Sequence, residues 1–114
     1  MNTDNHINYI EFKAKDLAQI KAFYNACFGW MFTDFGDRYT AFTESGVAGG
    51  FEQSDAPIVN GALIVLYHSA LTEVMDRITA FGGKITVDLF SFPGGRRFHF
   101  TDPAGNELAV WSET

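Results

Sequence analysis

The sequence predicts an α+β fold in which one unit, βαβββ, is written twice. Three observations predict it. Two stretches share a hairpin cadence: Tyr39–Thr43 with Val47–Phe51, and Arg97–Thr101 with Glu107–Trp111. Two amphipathic helical stretches stop on glycine, at Gly29 and at Gly82-Gly83. A strand-like run precedes each helix, Ile7–Phe12 and Ala62–Tyr67.

The elements follow in order. Ile7–Phe12 alternates Ile7, Tyr9 and Glu11 on one face with Asn8, Ile10 and Phe12 on the other. Asp16 is placed to cap a helix over Leu17–Phe28. Its apolar stripe is Leu17, Ile20, Tyr24, Cys27 and Phe28, with Phe23 beside it and Cys27 taken as a core residue. Trp30–Phe35 and Tyr39–Thr43 read as strands around a Gly36-Asp37 turn, and Val47–Glu52 as a fourth strand weakened by glycine. Residues 53–60, with Ser54, Asp55, Pro57 and Asn60, read as a short linker between modules at about 6–53 and 61–114 of one domain.

The second module repeats the order. Ala62–Tyr67 is a strand. Ser69 or Thr72 is expected to cap a helix reaching Phe81, with Leu71, Val74, Met75, Ile78 and Phe81 as its stripe. Lys84–Leu89 reads as a strand and Ser91–Gly95 as a Gly-rich loop. In the final hairpin, Pro103 pre-sets φ at the turn, and Gly105 or Asn106 takes φ > 0.

Composition narrows the classes of function. The 114 residues are 46% hydrophobic, with 12 Phe, which suits a packed core and argues against disorder. The net charge of −6 disfavours a nucleic-acid backbone or an anionic membrane as partner. A single cysteine excludes an internal disulfide. The N-terminus lacks a signal-peptide pattern and no apolar run approaches a membrane span, so the expected setting is the cytoplasm.

FYNACFGW at Phe23–Trp30 and TDPAGNELAVW at Thr101–Trp111, together with the repeat, give the chain its family resemblance. It resembles the vicinal oxygen chelate superfamily, the glyoxalase I, bleomycin-resistance and extradiol dioxygenase group. The resemblance implies two βαβββ modules that curve a mixed sheet into a cup. Helices would cover the outer face, a small molecule would sit inside, and a homodimer would be common. It also implies a divalent metal held by four side chains, one near the start and one near the end of each module. Carried onto this chain, those positions fall on Tyr9, Gly50, Leu63 and Ala109, none of them a good divalent-metal ligand. A two-residue slip keeps the face and brings in Glu11, Glu52 or Glu107. The expectation is therefore no metal ligand and no cofactor.

On that alignment Tyr9, Glu11, Val65, Tyr67, Glu107 and Trp111 face the cup. Tyr9, Tyr67, Arg97 and Trp111 are the ligand-binding candidates. The same aromatic residues would equally fill a closed cup or a dimer seam. Glu11 and Glu107 are candidate general bases if buried, or else solvated strand residues paired with Lys13, Arg96 or Arg97. His99 is either a titrating group in the cup or a hydrogen-bonded sheet residue, and His6 and His68 are expected to be exposed. Arg97, with Arg96, either clamps a ligand carboxylate beside the Gly-rich loop or keeps a sheet edge from aggregating. No nucleophile elbow surrounds any serine.

The resemblance implies a protein that binds a small, partly apolar or aromatic molecule without a catalytic metal, as the family's drug-binding resistance proteins do. The rival is a glyoxalase-like lyase or isomerase, or a dioxygenase, with a metal site rebuilt from Glu11, Glu52, His99 or Glu107. A third reading is an interaction module with a closed cup. The expected partners are a small-molecule ligand and a second copy of the chain, with neither nucleic acid nor membrane.

Overall fold

The computed structural model describes residues 2–59 and 61–114, so Asn60 of the expected linker lies outside the described residues. The elements follow βαβββ twice, as the sequence predicts. The chain divides into two compact units, Tyr9–Leu63 and Met1–Asn8 with Ile64–Thr114.

The first unit is built from β1 (Ile7–Ala14), α1 (Leu17–Phe28), β2 (Met31–Asp34), β3 (Tyr39–Thr43) and β4 (Gly49–Gln53). β1 runs parallel to β4, while β4–β3 and β3–β2 are antiparallel. α1 begins where the sequence places it, because Asp16 Oδ1 accepts the Gln19 N–H at 3.1 Å and satisfies one orphan donor of the first turn. It ends where Gly29 takes φ +75° and its N–H donates to the Asn25 carbonyl.

Leu17, Ile20 and Tyr24 of α1 pack on Ala14, Phe42 and Phe51, with Phe12, Trp30 and Phe32 around them. This core is aromatic. Tyr24 stacks on Trp30 at 4.6 Å, Trp30 meets Phe42 at 4.7 Å, and Phe12 stacks on Phe51 at 5.2 Å. The apolar stripe is shorter than its spacing suggests. Burial stops at the Tyr24–Trp30 stack, and the last turn of α1 runs on past it. Cys27 is therefore exposed rather than a core residue, and Phe23 and Phe28 are exposed as well.

The second unit is built from β5 (Leu63–Tyr67), α2 (Leu71–Ala80), β6 (Lys84–Phe92), β7 (Gly95–Thr101) and β8 (Glu107–Ser112). β5 runs parallel to β8, and β8–β7 and β7–β6 are antiparallel, which repeats the pairing of the first unit. Its core is Leu71, Phe98 and Val110, packed against Leu66, Val74, Met75, Ile78, Ile85, Leu89 and Phe100. Phe98 has no exposed surface, and full burial of such a ring contributes roughly 1.5–3 kcal/mol.

Three local expectations are corrected here. Neither Ser69 nor Thr72 caps α2. Ser69 is taken by Asp4, whose carboxylate accepts both the Ser69 N–H at 2.9 Å and its hydroxyl at 3.0 Å. The Ala70 N–H, at the start of the helix, donates to His68 Nδ1 at 2.9 Å, and this seats His68 in a buried position instead of the exposed one expected. Phe81 closes the helix as its C-cap and remains exposed.

The expected Gly-rich loop is mostly strand. β6 continues to Phe92, which pairs with Gly95 across a two-residue Pro93-Gly94 turn with Gly94 at φ +112°. Gly95 lies against the Ser112 carbonyl too closely for any Cβ. Among the described residues no helix is long and apolar enough to cross a membrane.

Candidate functional site

Strand alternation sorts the side chains of each unit into two faces. In the first unit, Phe12, Phe42 and Phe51 lie on the α1 side, so Tyr9, Glu11, Tyr39 and Gly50 lie on the other. There the Tyr9 and Tyr39 hydroxyls are 2.5 Å apart, and the Tyr39 hydroxyl donates to Glu11 Oε1 at 3.3 Å. Glu11 is buried, 6% exposed, in line with one expectation for it. Burial, the hydrogen bond to Tyr9 and the nearby Glu11 charge together push the Tyr39 hydroxyl far above the usual phenol range.

The packing depends on Gly50, which pairs with Glu11 on β1 and Ala41 on β3. A Cβ there would meet the Tyr39 hydroxyl oxygen at 2.5 Å and the Thr40 carbonyl at 2.7 Å. A shallow polar depression beside this cluster is lined by Arg38, Tyr39, Glu52, Gln53, Ser54 and Asp55.

In the second unit, Leu66, Phe98 and Val110 face α2, so Val65, Tyr67, Arg97, His99, Glu107, Ala109 and Trp111 share the opposite face. The Arg97 guanidinium lies 5.5 Å from the Phe90 ring centre and 6.0 Å from that of Phe92, within cation–π range of both. Arg97 pairs across the strands with Phe90 on β6 and Trp111 on β8. Trp111 packs edge-on against Tyr67 at 5.3 Å and near Phe92 at 6.5 Å. Its indole N–H donates to Asn8 Oδ1 at 3.0 Å, which fixes the ring. The Tyr67 hydroxyl donates to Glu113 Oε1 at 3.1 Å, and burial followed by Glu113 raises its pKa.

His99 Nδ1 lies 3.3 Å from Glu107 Oε2, and His99 also packs near the Phe90 ring. Glu107 follows the solvated alternative, with 42% of its side-chain surface accessible, and its partner is His99 rather than Lys13, Arg96 or Arg97. Position explains this. It pairs with Thr101 next to the terminal turn, where the strand has just left solvent.

The structure thus gathers Tyr67, Arg97 and Trp111 on one face of the second unit and joins His99 to Glu107 on the same face. Tyr9 and Glu11 are joined in the first unit. Three participants escaped the sequence: Tyr39, Phe90 and Phe92. Tyr39 had a signal, since it is odd-numbered in a strand whose Phe42 is in the core. The two Phe were hidden by ending the strand at Leu89 and reading Ser91–Gly95 as a loop, whereas β6 runs to Phe92.

The metal implied by the family resemblance does not fit the residues present. Gly50 and Ala109 carry no donor side chain, Leu63 is aliphatic, and the Tyr9 hydroxyl is already engaged with Tyr39. The space a ligand at position 50 would need is taken by Tyr39. Among the described residues no three His, Cys, Asp or Glu side chains come together to hold an ion.

Comparisons with known proteins place the fold. A family model described as Glyoxalase/Bleomycin resistance protein/Dioxygenase superfamily matches residues 6–110. No curated protein matches the sequence. A superfamily member of that description from Vibrio splendidus 12B01 is similar with a TM-score of 0.69 and 15% identity, over 91% of this chain and 96% of that one. Methylmalonyl-CoA epimerase from Mycobacterium tuberculosis gives a TM-score of 0.71 and 11% identity, over 97% and 89%. The Mn(II)-bound glyoxalase from Novosphingobium aromaticivorans gives 0.66 and 22%, over 99% of this chain but only 40% of that one. At these identities the likenesses to solved structures establish the fold alone.

Proposed function

The chain belongs to the glyoxalase/bleomycin resistance protein/dioxygenase superfamily, and on that footing we propose that it binds a small, planar, partly apolar molecule bearing an anionic group, without a catalytic metal. One observation carries the reading. Arg97 is held within 6.0 Å of two phenylalanine rings and pairs across the strands with Trp111, so a flat charge and flat apolar surfaces share one sheet face. A guanidinium fork recognises a carboxylate by paired hydrogen bonds, and rings beside it favour a planar body by stacking. The absence of suitable donors at the family's ligand positions supports the metal-free part of the reading.

The same proposal takes a second copy of the chain as partner in the cytoplasm. β2 and β6 are the outermost strands of the two units and leave edges that another copy can cover. Sedimentation at micromolar concentration is expected to give twice the chain mass.

The test of the ligand reading is an amide NMR titration with benzoate, which unites a planar ring and a carboxylate. Shifts are expected at residues 90, 92, 97 and 111, and Arg97→Gln is expected to weaken binding about tenfold, the scale of a charge-assisted hydrogen bond. Binding that ignores Arg97→Gln, or no perturbation on this face, would contradict the proposal.

A further inference from the structure

Trp111 pairs with Arg97 across the strands and lies near Tyr67 and Phe92, so it belongs to the proposed ligand face. Hydrogen bonds lead from it through the N-terminal segment and back to Tyr67. An indole N–H only donates, so the atom of Asn8 that meets it at 3.0 Å is the side-chain oxygen. The Asn8 amide nitrogen is thereby turned to Asn2 Oδ1, to which it donates at 3.0 Å. The Asn2 nitrogen donates in turn to Glu113 Oε1 at 3.1 Å, and the Tyr67 hydroxyl donates to the same oxygen at 3.1 Å. The edge-on contact of Tyr67 with Trp111 closes the ring. One orientation of the two amides serves every bond in it.

Backbone contacts keep the segment in place. The Asn5 N–H donates to the Tyr67 carbonyl at 2.8 Å, and the Tyr67 N–H donates to the His6 carbonyl at 2.9 Å. Asn5 takes φ +70°, a left-handed conformation that asparagine tolerates. Asn2 and Glu113 are themselves exposed. Water would satisfy such groups equally well, so the bonds among them contribute little to folding. What they fix is the placement of two rings.

We propose that Asn8, Asn2 and Glu113 are positioning residues, a clasp that fastens the N-terminal segment to Glu113 and sets the orientation of Trp111 and Tyr67 for a planar ligand. The inference rests on the reading of this face as a small-molecule site. It extends that site to residues that stand behind the rings.

Two readouts test it, the Trp111 indole proton in NMR and the affinity for benzoate. The chain has two Trp, and the resonance is assigned by its loss in Trp111→Phe. Asn8→Ala strips the indole of its acceptor, so the resonance should move upfield and exchange faster with water. Glu113→Ala and Glu113→Gln both remove the charge and differ in the acceptor oxygen, so electrostatic effects on benzoate cancel between them. Benzoate is expected to bind about fivefold more weakly to Glu113→Ala than to Glu113→Gln, the scale of one net hydrogen bond.

Thermal melting checks that each variant is folded, and the two Glu113 variants are expected to melt together. A role in folding alone would not separate their affinities. An indole resonance unchanged in Asn8→Ala, or equal benzoate affinity in the two Glu113 variants, would overturn the inference. Absence of benzoate binding to the wild type would overturn the ligand reading alone. The indole resonance needs no ligand and would still decide whether the clasp holds Trp111.

Discussion

The two units share an order of elements and a pattern of strand pairing, yet most aromatic residues of the first lie on its helix side and most of those of the second lie on the side away from its helix. In Tyr9–Leu63 the rings fill the helix side, where Phe12, Tyr24, Trp30, Phe42 and Phe51 stack on one another, and the opposite face carries the Tyr9–Tyr39–Glu11 chain. In Ile64–Thr114 the helix side is largely aliphatic around Phe98, and the opposite face carries Tyr67, Phe90, Phe92 and Trp111 around Arg97. The shared topology needs only an apolar face under each helix. What that face is made of, and what stands on its reverse, is free to differ.

Removing a core ring tests the comparison most severely. Phe98→Ala is expected to lose about 3–5 kcal/mol in denaturant unfolding, because the ring is wholly buried among side chains that cannot close the gap. Phe51→Ala, in a core where neighbouring rings already contact one another, is expected at the lower end of that range. If Phe98→Ala cost under about 1 kcal/mol, the second unit would not be organised around that residue.

A sharper contrast comes from two positions in matching register. Gly50 pairs with Glu11 as Ala109 pairs with Val65. Gly50→Ala should cost about 1–3 kcal/mol through the clash with Tyr39 and Thr40. Ala109→Gly should cost only about 0.5–1 kcal/mol, mostly backbone entropy. Equal costs, measured by urea midpoints, would mean that Gly50 makes no special room.

Alkali tests the reverse face of the first unit. Tyr39 is held above the usual phenol value of 10.0, so the unfolded chain ionises it where the folded chain does not. Its contribution to stability is complete below pH 10.0 and is lost as pH rises beyond it. Thermal melts from pH 8 to 11 should therefore fall more steeply for the wild type than for Tyr39→Phe; parallel curves would contradict this.

The smallest effect is expected at the last hairpin. Asp102 accepts from the Asn106 side chain and from the Asn106 and Ala104 N–H groups, which holds its pKa below 3.8. The contribution is present above pH 3.8 and lost as pH falls below it. Asp102→Ala should lower the melting temperature slightly at pH 7, and the gap should narrow in acid.

What was legible in the sequence was local. Asp16 and Gly29 bound α1 at both ends through contacts within one turn of the helix, and the Thr101–Glu107 hairpin is closed by its own turn residues. What was illegible depends on distant partners. Ser69 looked like a cap, but it is held by Asp4, 65 residues earlier. His68 is buried by the same arrangement. Cys27 and Phe81 keep helical spacing, yet packing stops before it reaches them. Face parity put Tyr67 and Trp111 on one face of the second unit, and the strand pairing adds Arg97 to that face, which its reading beside a loop had not given. The Tyr39–Glu11 contact required the parallel β1–β4 pairing and the clearance at Gly50, neither of which spacing along the chain encodes.

The proposed site sits on a superfamily fold whose usual ligand positions are Tyr9, Gly50, Leu63 and Ala109, and the proposal is that it takes no metal. The most direct measurement is thermal melting of dialysed protein with and without Zn²⁺, Ni²⁺, Mn²⁺ and Fe²⁺, alongside metal analysis of the protein as purified. Anything that binds only the folded state raises its melting temperature by mass action. No stoichiometric metal and no shift with any of the four ions are expected. A stoichiometric ion with a clear rise, lost on Glu11→Gln or Glu107→Gln, would contradict the proposal and point to a rebuilt metal centre.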